Sequence, residues 1–264
     1  MGTLKDAPAI NQAYLPDDFT RLTHPVAIDK YVFVEVDVEV GRHVDEARWV
    51  SDVAKSDARL GGIVASVPIE RGRAIEADLA ALAKLPLVKG VRRLIQAYAD
   101  QPGWCLQPSV IEGMRLLPKY GFSFDLCIFH SQMADTLELV RRCPEVSFML
   151  DHIGKPGIKA NIREPWWRQM RELAGLPNVV CKISGVVNED DHKTWTYERV
   201  APYIAHAIEC FGPDRVAYGG DWPVLELAAT YPNWVDVVDR VTSGMSRRDL
   251  EKLYRNNAIS FYRL

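Results

Sequence analysis

Short β-rich runs alternate with longer amphipathic stretches along this chain, and that alternation limits the available folds more than any other feature. The runs that read as strands are Tyr31 to Val36, Gly62 to Val67, Gly90 to Ile95, Phe124 to Phe129, Val146 to Leu150, Val179 to Ile183 and Val216 to Gly219. Between them, residues 44–56, 74–85, 109–120, 133–143, 166–174 and 197–211 carry apolar side chains at three- and four-residue spacings, the pattern of helices lying on a sheet. Within Asp135-Thr136-Leu137-Glu138-Leu139-Val140, for example, the leucines and Val140 face the sheet while Asp135 and Glu138 stay in water. Gly121 and Gly212-Pro213 stand just past helix ends, where a chain stops being helical. Strand–helix units in series require a parallel sheet covered by helices. No G-x-G-x-x-G follows any strand, so the sequence predicts a (β/α) barrel of the eight-stranded TIM type over an open dinucleotide-binding sheet.

Composition excludes several classes of function. At 264 residues, with 48% hydrophobic and 25% charged residues and no low-complexity linker, the chain predicts one domain over 1–264. The formal charge of -3, with Lys and Arg scattered among acidic residues, gives no footprint for nucleic acid. Met1 to Asp6 has neither a basic segment nor an apolar core, and no apolar run approaches a membrane span, so a cytoplasmic protein without a membrane partner is expected. Five cysteines, an odd number without C-x-x-C spacing, argue against a disulfide framework or a zinc knuckle and for small buried thiols in a reducing compartment.

In a barrel the site is built where strands end, so the residues that close the runs matter most. His130 closes the fourth, Asp151-His152 the fifth, Lys182 and Ser184 the sixth, and Asp221 the last. Taken singly, each has a plain structural reading: a hydrogen-bonded histidine, or an aspartate that forms a turn or caps a helix. Together, His152 and Asp221 supply the imidazole and carboxylate that a hydrolytic site needs to polarise a carbonyl and activate water. His24, His43, His192 and His206 lie in loop or helical sequence and read as surface or structural residues.

Longer motifs surround these positions: Phe124-Asp125-Leu126, Leu150-Asp151-His152-Ile153-Gly154-Lys155-Pro156, Pro165-Trp166-Trp167, Cys181-Lys182-Ile183-Ser184-Gly185 and Tyr218-Gly219-Gly220-Asp221-Trp222-Pro223-Val224. They resemble the motifs of the amidohydrolase-2 group of metal-dependent TIM-barrel hydrolases, especially its L-fuconolactonase, L-rhamnonolactonase, pyrone-dicarboxylate and muconolactone-type lactonase branch. The resemblance runs from Tyr14-Leu15-Pro16-Asp17-Asp18-Phe19 to Asn257-Ala258-x-x-Phe261-Tyr262, and D-H-x-G-K-P followed by G-x-D-W-P is its most specific part. It implies that His152 hydrogen-bonds a lactone carbonyl or ligates a metal. Asp221 would take a proton from the attacking water and pass it to the leaving hydroxyl, or serve as a second metal ligand. Arg92 would bind a substrate carboxylate or hydroxyls, or else close the barrel rim as an ion pair. His130, Lys155, Lys182 and Trp222 would shape the substrate pocket, and Trp166-Trp167 could equally pack a helix.

The resemblance implies a small-molecule lactone as partner and either one divalent ion, zinc or manganese, or a metal-independent mechanism in which histidines polarise the carbonyl. It also exposes a departure. The family opens with a strand carrying D-x-H-x-H, and no H-x-H occurs in this sequence. Residues 1–29 hold no strand candidate, so the runs above count as strands two to eight and the chain is expected to begin inside the first βα-loop. A decarboxylase or lactone isomerase on the same barrel, and an inactive barrel, are the alternatives to a lactonase.

Overall fold

The structure is a computed structural model that describes residues 10–39 and 41–264. Helix α1 (Pro16–Thr23) precedes β1 (Tyr31–Val34), and the chain then alternates through α2 (His43–Val53), β2 (Leu60–Ser66), α3 (Glu76–Leu82), β3 (Val88–Leu94) and α4 (Pro108–Leu116). It continues with β4 (Ser123–Cys127), α5 (Met133–Arg142), β5 (Phe148–Leu150), α6 (Trp166–Ala174), β6 (Val179–Ile183), α7 (Tyr197–Phe211) and β7 (Val216–Tyr218). Helices α8 (Tyr231–Val241), α9 (Arg247–Glu251) and α10 (Asn257–Tyr262) complete it. The strands form one 7-stranded sheet in sequential order, with every neighbouring pair parallel.

Each expected strand is present, with β1 ending at Val34 instead of Val36 and β5 starting at Phe148 instead of Val146. Helices α1, α8, α9 and α10 add to those the periodicity anticipates. Among the described residues β1 and β7 each pair on one side. Residues 10–29 hold α1 and no strand, while residues 1–9 lie outside the described residues. No helix among the described residues is long and apolar enough to cross a membrane. Cys105, Cys127, Cys143 and Cys181 are buried free thiols and Cys210 is half-buried.

Val32 and Val34 of β1, Val64 of β2, Met149 of β5, Val180 of β6 and Ala217 of β7 share one small apolar cluster with Phe261, Tyr262 and Leu264. A flat sheet would hold β1 and β7 far apart, so the sheet curls around this cluster. The larger core lies outside the curl, between strands and helices, with Trp166 and Trp234 fully buried in it. Helix α10 and the residues after it cross the bottom of the curl. Asn257 Nδ2 donates to Pro213 O and Val216 O at 2.8 and 2.7 Å, and Arg263 Nη2 donates to Lys89 O and Gly121 O at 2.8 and 2.6 Å. That end is closed by the chain itself, and the strands finish at the opposite end.

Candidate active site

Beyond β5 the backbone turns left-handed. His152, Ile153, Gly154 and Lys155 have φ of 53°, 48°, 72° and 47°, and Asp221 after β7 has 51°. Residues other than glycine give up roughly 1–2 kcal/mol each in this conformation, most of all a β-branched one such as Ile153. Packing holds the turn: Ile153 is fully buried, and the buried Trp166 Nε1 donates to its carbonyl at 2.9 Å. Trp166 therefore serves helix packing, and the turn it anchors swings His152 inward. Strain collected at strand ends that also carry imidazole and carboxylate is a usual mark of a functional site.

His152 Nε2 lies 3.7 Å from Asp221 Oδ1, and its Nδ1 lies 2.9 Å from Ser184 Oγ. Gly185 makes this approach possible. Its φ is 64°, and a Cβ there would stand 2.7 Å from His152 Nδ1 and 2.8 Å from Asp221 Oδ2. Burial disfavours the imidazolium and pulls His152 down to about 4, although Asp221 and Asp151 pull the other way. The ring is thus neutral at physiological pH and carries one proton. Because Nε2 faces a carboxylate, that proton belongs on Nε2, with the Ser184 hydroxyl donating to Nδ1.

Next to this pair runs a layer of buried charges on the inner face of the sheet. Arg92 Nε meets Glu35 Oε1 at 2.7 Å and its Nη1 meets Asp151 Oδ2 at 3.0 Å, while Nη2 donates to Glu35 O at 2.7 Å. Lys182 Nζ bridges Asp151 Oδ1 at 2.6 Å and Asp125 Oδ2 at 2.8 Å. Tyr262 OH donates to Asp125 Oδ2 at 2.6 Å. Burial alone would raise the Asp151 carboxyl, but Lys182 and Arg92 outweigh it and hold Asp151 well below the usual range. Burial pushes Asp125 up, and its Oδ1 is buried without a hydrogen-bond partner.

The remaining expected residues separate. Lys155 is a largely buried residue, and its ammonium lies 5.5 Å from the Phe129 ring centroid and makes no hydrogen bond or ion pair among the described residues. His130 leans on the loop after β5, where a Cβ on Gly157 would be 3.1 Å from its Nε2. Burial lowers its pKa. Trp222 packs on Tyr14 and Phe19 with ring centroids 5.0 and 5.1 Å away, and its Nε1 is buried without a partner. Of the other histidines, His43 meets Asp78 at 3.1 Å between α2 and α3. His206 stacks on Trp167 at 3.8 Å, and His24 and His192 are exposed.

Sequence reasoning gave no role to Glu35, Asp125, Asp151 or Tyr262, the partners of the Arg92 and Lys182 layer. A signal existed for two of them, since Glu35 and Asp125 interrupt otherwise apolar strand sequence. Tyr262 gave none, because its partner lies 137 residues away.

Cys127, Asp151 and His152 offer donor atoms within 4.8 Å of one another. Both Asp151 oxygens are nevertheless taken by Lys182 and Arg92, whose charges would repel a cation. Burial holds the Cys127 thiol protonated, pushed up to about 11, and its Sγ contacts Gln96 Oε1 at 3.4 Å. His152 Nε2 and Asp221 Oδ1 are spaced to share an ion, but two ligands fall short of the three or four protein ligands of zinc sites. The described residues alone do not fit a tight divalent site.

The amidohydrolase family profile matches residues 3–264. An L-fucono-1,5-lactonase of Burkholderia multivorans is 30% identical over 264 residues, covering 95% of this chain and 86% of that protein. An L-rhamnono-gamma-lactonase of Scheffersomyces stipitis is 27% identical over 67% of this chain and 60% of its own length. A crystal structure of a Burkholderia multivorans amidohydrolase with bound zinc superposes with a TM-score of 0.87 at 28% identity, covering 99% of this chain and 95% of that one.

Proposed function

Because this chain belongs to the amidohydrolase family, we propose that it opens the ring ester of a small lactone by hydrolysis, with a sugar-acid lactone as substrate class. One observation carries the reading: a neutral imidazole Nε2–H and a carboxylate stand side by side, 3.7 Å apart, on turns at the ends of β5 and β7. Asp221 accepts the proton of a water as it attacks the carbonyl carbon. His152 Nε2–H donates to the carbonyl oxygen as charge gathers there, and Ser184 keeps the proton on that nitrogen. Arg92 and Lys182 act through Asp151, which they fix beside His152. The unpaired Lys155 ammonium and Trp222 Nε1 remain for substrate oxygens.

The lactones named for the two relatives are the first substrates to try, and 4-sulfomuconolactone, named for a 28% identical relative, is a third. The strands are read as strands two to eight of a (β/α)8 barrel, a reading supported by the single paired edge of β1 and of β7 among the described residues. No step is assigned to a metal. The test is lactone opening in oxygen-18 water, followed by acid release and product mass. Hydrolysis gives one proton and one labelled carboxylate oxygen per lactone. Release of carbon dioxide, an unlabelled isomer, or no turnover of any lactone overturns the proposal.

A further inference from the structure

A side chain from the closed end of the curled sheet reaches the buried ion layer, and the helix that carries it is irregular just before it does so. Residues 252–256 form a π turn that joins α9 to α10. Such a turn fits one extra residue into a helix and so rotates everything after it by about 100°. An unbroken α-helix would place Phe261 in the slot that Tyr262 occupies. The two rings fill similar space, but only tyrosine brings a hydroxyl. π turns inside helices recur at functional sites.

The hydroxyl is used. Tyr262 is buried, and its OH donates to Asp125 Oδ2 at 2.6 Å. Lys182 Nζ donates to the same oxygen at 2.8 Å, while Asp125 Oδ1 has no donor among the described residues. Two donors on one oxygen therefore hold this carboxyl, and the tyrosine is one of them. From Lys182 the contacts run on to Asp151 Oδ1 at 2.6 Å. Asp151 is fully buried and immediately precedes the left-handed turn that begins at His152. Three hydrogen bonds thus join the C-terminal helix to the base of the turn that sets His152 beside Asp221.

We infer that Tyr262 is a positioning residue for His152: its hydroxyl fixes Asp125, so that Lys182 holds Asp151, and with it the His152 turn, in one place. For its effect on rate the inference rests on the hydrolase reading above. Without the hydroxyl Asp125 keeps a single donor and its carboxyl can rotate about that contact. The ammonium shared by the two aspartates then loses its fixed position, and the 2.6 Å bond to Asp151 varies with it. Charge gathers on the carbonyl oxygen only in the transition state, so a displaced His152 lowers kcat and leaves KM nearly as it was.

The test is Tyr262→Phe, which keeps the ring and removes one oxygen. Its control is Tyr254→Phe, because Tyr254 OH also donates to an aspartate, Asp239 Oδ1 at 2.6 Å, but outside the ion layer. On a lactone that wild type opens, Tyr262→Phe is expected to lose about tenfold in kcat with KM changed by less than about twofold, and Tyr254→Phe to keep both. Asp125→Asn should also lower kcat, and adding Tyr262→Phe to it should cost nothing more, since both changes break the same chain of bonds. A second readout needs no turnover: the ring-nitrogen signals of the six histidines in a proton–nitrogen NMR spectrum, with those of His152 assigned by their loss in His152→Asn. Tyr262→Phe should move the His152 signals and leave the other five rings in place. Should Asp125→Asn fail to fold, the single variants and the spectrum decide. A kcat within about twofold of wild type, a loss carried by KM, a loss matched by Tyr254→Phe, losses that multiply in the double variant, or unmoved His152 signals each overturn the inference. A wild type that opens no lactone refutes the hydrolase reading instead, and the His152 signals then decide the positioning role alone.

Discussion

Replacing Gly185 with alanine attacks the contact on which the site depends, and the cost follows from the geometry. A side chain at φ 64° costs roughly 1–2 kcal/mol for conformation alone. The new Cβ would stand 2.7 Å from His152 Nδ1, 3.0 Å from its Cγ and 2.8 Å from Asp221 Oδ2, so both side chains must retreat. That retreat breaks the bond to Ser184, worth about 1 kcal/mol, for a sum of about 2–3 kcal/mol and a fall in Tm of roughly 4–12 °C. Misplacing the reacting pair by up to an ångström lowers kcat on the order of 100-fold. Gly103→Ala is the control: φ there is 76° and nothing lies within 4 Å of the added Cβ, so only the conformational cost applies and kcat should hold. Thermal melts and lactone kinetics on both variants give the answer. If Gly185→Ala melts and turns over like Gly103→Ala, the crowding argument is refuted.

Three further outcomes follow from the charged groups. Lys182→Met strips the ammonium from Asp125 and Asp151 and should cost about 3–5 kcal/mol, a Tm drop on the order of 10 °C, because two buried carboxyls lose their partner; an unchanged melt would show that the ion layer is not needed for the fold. Burial pushes Glu46 up to about 7, the Val36 N–H only partly opposing it, so its stabilising contribution is complete below the unfolded value of 4.5 and lost as pH rises through 7. Glu46→Gln, which cannot ionise, should therefore gain on wild type by roughly 2–3 kcal/mol between about pH 4 and pH 8, and a pH-independent difference in urea melts would contradict this. Exhaustive chelation should leave lactone turnover within about threefold, given the missing third and fourth ligands; complete loss restored by zinc would show that a metal site forms despite the donor set.

Much of the fold is legible in the sequence because strand and helix periodicities differ and most of the elements between β1 and β7 carry one or the other. The short α9 and α10 gave no comparable pattern. The site is only partly legible. His152 and Asp221 stand out because barrel topology brings strand ends to one rim, and the same argument put Lys182 there, whereas Arg92 came only from the family resemblance. What sequence could not supply is that both cations are committed to Glu35, Asp151 and Asp125, since ion pairing depends on which face of each strand turns inward and how tightly the sheet curls. Nor could it supply Gly185's role, which rests on a distance of 2.7 Å across two loops.

The most direct test of the account is the initial rate of lactone opening by Asp221→Asn beside wild type, with substrate affinity measured on the same preparations. The amide keeps the shape of the carboxylate but cannot take the proton of the attacking water. The account predicts a fall in kcat of about 10²–10⁴-fold with affinity changed by no more than a few-fold. Retention of most of kcat would show that Asp221 is not the base, and the mechanism built on its place beside His152 would fail with it.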